Sequence, residues 1–209
     1  MTTAKRSIVR LGLFGGTFNP IHLAHLVIAD QAQDQLGLDK VLFMPCAIPP
    51  HKSESDLPSA EHRLNMVKIA TFDHPHFEAS YLEIQRGGKS YTAETLVELS
   101  RIYHLDRENL FLIIGSDSLL ELHTWRTPQR ILELCQLAVI DRPGSMLPEQ
   151  SSLIPYLLLP TPKLQFSASF IRDALRRGKS VRYLLPASVE EYIRANHLYG
   201  IQTTALKTR

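Results

Sequence analysis

His22 and His25 stand three residues apart at the start of a stretch with apolar residues at helical spacing, so on a helix their imidazoles share one face. That face is the positive end of the helix dipole, where added positive charge is unfavourable unless an anion compensates it. Two histidines in that place point to a bound polyphosphate; an ordinary capping or packing pair is the alternative. A zinc site fits less well, because a third ligand and the Glu of a His-Glu-x-x-His helix are missing. Arg172 poses the same question near the other end of the chain. It follows Ser167 and Ser169, either of which can cap a helix, and is expected in that helix's first turn, where a cation calls for an anion. Hydroxyls, backbone N–H groups and a guanidinium together make a phosphate clamp; a routine capped helix is the alternative. Lys52, beside His51 in a loop with Pro45, Pro49, Pro50 and Pro58, is a further candidate cation, set against a solvated loop lysine.

The elements that must position these groups follow from the apolar pattern. Residues 8–14 read as a buried strand, and Gly15 and Gly16 after it permit a sharp turn and the close approach of a large ligand. Asn19 and Pro20 suit the N-cap and first position of a helix over residues 21–36, give or take a residue or two, closed by Gly37. The N–H groups at that helix start would attract an anion. Strands are expected at residues 40–45, 77–84, 109–115, 136–140 and 156–159. Helices are expected at residues 61–72, from Ser90-Tyr91-Thr92 to about Tyr103, at 119–122, from Thr127-Pro128 to about Cys135, and from near Ser169 to Gly178. A last helix opens on the capping-box spacing of Ser188 and Glu191 and runs to about His197. The turn Asp73-His74-Pro75-His76 reads as solvated rather than metal-binding.

Alternating strands and helices predict an α/β fold, a doubly wound, mostly parallel sheet with helices on both faces. In such sheets ligands bind beyond the carboxyl ends of the strands. Residues 15–25, 49–52 and 115–117 all fall there, so distant segments are expected to converge on one cleft.

The 209 residues favour one domain over 1–209 and permit a sizeable core. Apolar content of 44% and charged content of 21% are ordinary for a globular protein. A net charge of +2 is too small to argue for a nucleic-acid surface. Cys46 and Cys135 have no close spacing, so neither a disulfide framework nor a cysteine-rich metal site is expected, which suits a reducing compartment. No apolar run is long enough to span a bilayer, and Lys5 and Arg6 precede no signal-like apolar core. A cytoplasmic protein without membrane or nucleic-acid partners is the expectation; a homo-oligomeric state stays open.

Gly15-Gly16-Thr17-Phe18-Asn19-Pro20-Ile21-His22-Leu23-Ala24-His25 resembles the phosphate-binding motif of the nucleotidyltransferase superfamily, with its His-x-Gly-His core. Ala24 stands where that core usually has Gly, and Asn19 where many members have Asp. Phe166-Ser167-Ala168-Ser169-Phe170-Ile171-Arg172 resembles the superfamily's Ile-Ser-Ser-Thr-x-Ile-Arg motif, with Phe166, Ala168 and Ser169 as departures. Pro49-Pro50-His51-Lys52, Arg63-Leu64-Asn65-Met66, Ser90-Tyr91-Thr92, Ile114-Gly115-Ser116-Asp117, Trp125, Asp141-Arg142-Pro143-Gly144 and the closing region from Leu185-Pro186 to Tyr199 are similar to one branch, the bacterial nicotinate-nucleotide adenylyltransferases.

The resemblance implies a Rossmann-like fold and transfer of the adenylyl group of ATP to nicotinate mononucleotide, with Mg²⁺ bound with the ATP. Nicotinamide mononucleotide or another phosphorylated acceptor such as phosphopantetheine is the alternative acceptor; a non-catalytic nucleotide-binding regulator is the alternative class. It implies His22, His25, Lys52 and Arg172 as catalytic, and Gly15, Gly16, Thr17, Phe18, Gly115, Asp117, Ser167 and Ser169 with them around ATP. It implies Ser90, Tyr91, Thr92 and Trp125 around the pyridine nucleotide, with Trp125 stacked on its ring. Asp117 would orient a ribose or the metal. No protein metal ligand is implied.

Overall fold

Runs such as Val41-Leu42-Phe43-Met44 and Leu110 to Ile114 carry apolar residues on both faces of a strand, which requires cover on both faces. The computed structural model, which describes residues 8–48, 57–141, 147 and 154–201, supplies it. Among the described residues six strands form: β1 (Leu11–Gly16), β2 (Lys40–Pro45), β3 (Phe77–Ala79), β4 (Leu110–Gly115), β5 (Gln136–Ile140) and β6 (Tyr156–Leu159). They form one sheet in the order β3-β2-β1-β4-β5-β6. All neighbours are parallel.

Successive side chains of each strand enter opposite cores. Phe14, Val41, Phe43, Phe111 and Ile113 face one, with Ala29, Ala32, Met66, Val67, Ile171, Val189 and Ile193 from helices. Leu11, Leu13, Leu42, Met44, Leu112 and Ile114 face the other, with Leu96, Leu99, Leu119 and Ile131. The first core is thus covered by α1 (Leu23–Leu36), α2 (Ala60–Thr71), α7 (Ala168–Arg176) and α8 (Ala187–Ala195). The second is covered by α4 (Thr92–Tyr103), α5 (Ser116–Glu121) and α6 (Pro128–Leu134). A short helix, α3 (Leu82–Arg86), lies between β3 and α4. Strand order reverses between β1 and β4, and a crevice opens at their carboxyl ends, as expected of a doubly wound sheet.

Several local expectations are corrected. Gly15 and Gly16 do not make the turn; they end β1, paired with Met44 and Pro45. The chain turns at Phe18, whose φ of 47° is left-handed, and Asn19–Pro20 is a cis peptide. The N-cap of α1 is His22, not Asn19, and Pro20 lies before the helix. The strand expected over residues 77–84 stops at Ala79, and Leu82 to Arg86 are helical. The final helix has Pro186 at its N-cap, so the expected capping box at Ser188 does not form.

Candidate active site

The carboxyl end of β1 divides the crevice into two adjoining cavities. One, of about 920 Å³, is lined by Gly15 to Asn19, His22, His25, and residues 161 to 170 with Arg172. The other, of about 630 Å³, is lined by Cys46, Glu83, Ser90, Tyr91, Thr92, Trp125 and Arg126 among others. Phe14, Gly15, Gly16, Thr17 and Ser118 line both, so a ligand can pass from one to the other over bare glycine backbone. A side chain at Gly15 would meet nothing within 4 Å: the missing Cβ keeps the floor open rather than relieving a clash.

In the first cavity the two imidazoles stack, centroids 3.7 Å apart and 24° from parallel. The His22 N–H donates to His25 Nδ1 at 3.2 Å. An accepting Nδ1 leaves the ring proton of neutral His25 on Nε2, so that edge is its donor. Phe18 and Phe14 hold the His25 ring edge-on, at 5.1 and 5.9 Å. The Phe18 side chain is itself buried in the first core, so Phe18 can offer a ligand its backbone rather than its ring. The helix start offers fewer N–H donors than the sequence suggests. Leu23 N–H already donates to Leu184 O, and His25 N–H to His22 O.

Two arginines clasp the loop after β1. Arg63 on α2 is almost wholly buried and donates to Thr17 O at 3.0 Å, Ala47 O at 2.9 Å and Pro58 O at 3.2 Å. A buried guanidinium is tolerated only when hydrogen-bonded in this way. Its charge ties the β1 loop to the loop after β2. Peptide planarity turns the Phe18 N–H opposite to the Thr17 carbonyl, hence away from Arg63. From the far end of the chain, Arg172 donates through Nη1 to Asn19 O at 2.8 Å and through Nη2 to Ser169 Oγ at 3.2 Å. Ser167 caps α7, accepting from Phe170 N–H at 3.3 Å. Arg172 therefore lies in the second turn of α7, not the first.

The second cavity is built on α3 and α4. Gly87 and Gly88, both at positive φ, turn the chain between them. A polar chain locks the turn. Thr95 Oγ1 donates to buried Glu83 at 2.6 Å, and Arg86 donates to Thr95 at 2.9 Å and Glu98 at 3.2 Å. Ser90 does not cap α4, whose N-cap is Tyr91; Ser90 Oγ accepts from Ala47 N–H at 3.0 Å and so joins this turn to the loop after β2. Trp125 is half-buried at the cavity wall. The Arg126 guanidinium lies 4.4 Å over the Tyr91 ring and 3.2 Å from Glu94. Cys46 sits at the cavity edge with its thiol pushed up by burial, against the lowering effect of Arg63.

The structure thus gathers His22, His25, Ser167, Ser169 and Arg172 at one cavity, and Ser90, Tyr91, Thr92 and Trp125 at the other, with Gly15, Gly16 and Thr17 on both. Gly115 lines the second. Asp117 is exposed and lines neither, whereas its neighbour Ser118 lines both. Lys52 lies outside the described residues. Sequence reasoning missed Glu83, Ser118 and the placement of Arg126, and gave Arg63 a place in a motif but no role. Among the described residues no group of three or more His, Cys, Asp or Glu could hold a metal ion, and no helix is long and apolar enough to cross a membrane.

The chain as a whole is similar to known proteins. The sequence profile of the cytidylyltransferase-like family matches residues 13–209, and the chain belongs to that family. The branch is set by nearer relatives. The chain is 39% identical, over 92% of its length and 99% of theirs, to a protein of Geotalea daltonii named "Probable nicotinate-nucleotide adenylyltransferase". A protein of the same name from Thermomicrobium roseum is 43% identical over 91% of both chains. In fold it matches the nicotinic acid mononucleotide adenylyltransferase of Plasmodium falciparum complexed with NaAD, with a TM-score of 0.77, 20% identity, and 92% of this chain and 98% of that one covered.

Proposed function

We propose that the protein transfers the adenylyl group of ATP to nicotinate mononucleotide, giving nicotinate adenine dinucleotide and pyrophosphate. The names of its relatives support that reaction. The observation that carries it in this chain is the contact of Arg172 with Asn19, which brings the two terminal motifs to one cavity.

The acceptor's phosphate is ionised at neutral pH, so its oxygen attacks the α-phosphorus without a general base. One P–O bond forms and the bond to the β-phosphate breaks, releasing pyrophosphate. No protein nucleophile is needed. The obstacle is repulsion between two polyanions, and the work of the site is positioning and charge neutralisation. The imidazoles of His22 and His25, the guanidinium of Arg172 and the ammonium of Lys52 would hold the triphosphate and steady the leaving group. The described lining of this cavity is rich in donors, so it suits phosphates, and Mg²⁺ bound with the ATP would supply further shielding of phosphate charge. The nicotinate ring would lie against Trp125, with Ser90, Tyr91 and Thr92 around it. One domain spanning 1–209 in the cytoplasm serves both substrates.

The test is pyrophosphate release from Mg²⁺-ATP with nicotinate mononucleotide and, separately, nicotinamide mononucleotide. The reading expects release with both, and a higher kcat/KM for the nicotinate form. ATP binding without release contradicts it, and a preference for the amide reassigns the acceptor.

A further inference from the structure

Tyr199 is a buried residue in a backbone conformation that bulky side chains avoid. Its φ of 62° and ψ of 21° are left-handed, inside the short turn Leu198–Gly200 that packs on α7. Its hydroxyl is buried without a hydrogen-bond partner among the described residues. Among the other side-chain atoms in that condition are Arg172 Nε and Asn19 Oδ1. Buried polar atoms of this kind are rare enough to call for a reason.

The three belong to one neighbourhood. Arg172 sits with Nη1 on the Asn19 carbonyl, and its charge acts on the Tyr199 phenol. The groups are also complementary: Nε–H can only donate, Oδ1 can only accept, and a phenol does both. We propose that Tyr199 is a positioning residue for Arg172. When the guanidinium turns from Ser169 toward the triphosphate, its Nε–H donates to the Tyr199 oxygen and the Tyr199 O–H donates to Asn19 Oδ1. Burial pushes the phenol well above its ordinary range, with the charges of Arg172 and Arg63 opposing, so the O–H keeps its proton at working pH. The closing turn of the described chain then sets the angle of the arginine. The inference rests on the reading of Arg172 as a triphosphate contact.

The test is steady-state kinetics with ATP varied, on the parent, Tyr199→Phe, Arg172→Ala and the double variant, with thermal midpoints. Tyr199→Phe is expected to lower kcat/KM for ATP about tenfold, the scale of one hydrogen bond to a charged group. The KM for the mononucleotide should stay unchanged. Its midpoint should equal or exceed the parent's, because a buried hydroxyl without a partner is removed. The double variant should match Arg172→Ala alone. Asn19→Ala removes the far end of the relay and should reproduce the ATP defect, so the inference can be tested even should Tyr199→Phe fold poorly. Parent-like kinetics in Tyr199→Phe, a loss that multiplies with that of Arg172→Ala, or a loss that tracks a lowered midpoint would each overturn it. If Arg172→Ala is impaired while Tyr199→Phe and Asn19→Ala are not, only this inference falls. If Arg172→Ala turns over normally, the clamp reading fails and takes this one with it.

Discussion

The two halves of the cleft are held together by opposite means. The half around His22 and His25 is assembled from sequence-distant pieces: the loop after β1, the start of α7, and buried Arg63 joining the loops after β1 and β2. Its side chains are imidazoles and guanidinium, fixed by aromatic neighbours and by backbone carbonyls. The half around Trp125 is built on the α3–α4 turn and the segment after α5, and most of its polar links run from side chain to side chain, the bond of Ser90 Oγ with Ala47 N–H being the exception. On the proposed reading, the difference follows from what each half would hold. A triphosphate needs several positive groups converging on it, and few contiguous stretches can supply them without mutual repulsion. A flat ring needs one aromatic wall and a shaped rim.

The comparison can be broken from either side. Arg172→Ala should have the largest effect: about 2.7–4 kcal/mol of lost transition-state stabilisation if the guanidinium meets the developing charge. That would be read as a fall in kcat with ATP saturating. Trp125→Ala should cost less, about 1–3 kcal/mol, the value of one ring stacked on an aromatic side chain. It should raise the KM for the mononucleotide with kcat nearly unchanged, the signature of uniform binding. If the two variants show the same pattern, the division of labour fails.

A smaller effect concerns the core beneath the ring side. Cys135, whose Sγ–H donates to Ile131 O at 3.3 Å, has its thiol pushed up by burial from 9.0 to about 12. The folded state therefore resists the thiolate more than the unfolded chain does. Its contribution to stability is present below about pH 9 and is lost as pH rises toward about 12. Urea midpoints should fall over that window, and Cys135→Ala should flatten the fall.

The strand–helix alternation was legible because continuous apolar runs and helical spacing reflect burial on two faces. The elements misread were those in which local chemistry gives no sign of tertiary context. Tyr81-Leu82-Glu83-Ile84 alternates like a strand, yet Glu83 turns inward to Thr95 and the segment is helical. Asn19-Pro20 has the residue types of a cap, but after the turn at Phe18 they stop short of the helix start, and the cap falls to His22. Of the candidate site, the residues with unusual chemistry for their place, His22, His25 and Arg172, could be singled out. Arg63 could not. On an ordinary helical stretch an arginine reads as surface, and only the loops folded over it reveal a buried charge. Ser118 was eclipsed by the more conspicuous Asp117, because which side of α5 meets the cleft depends on how β4 delivers it.

The central claim is that the phosphate half acts on the reacting charge rather than on ground-state binding. The most direct measurement is a paired one on His25→Ala: calorimetric ATP affinity and single-turnover adenylyl transfer on the same preparation. The account predicts an ATP affinity within a fewfold of the parent and a transfer rate lower by about two to three orders of magnitude. Equal transfer rates, or a loss of affinity that accounts for the whole defect, would contradict it.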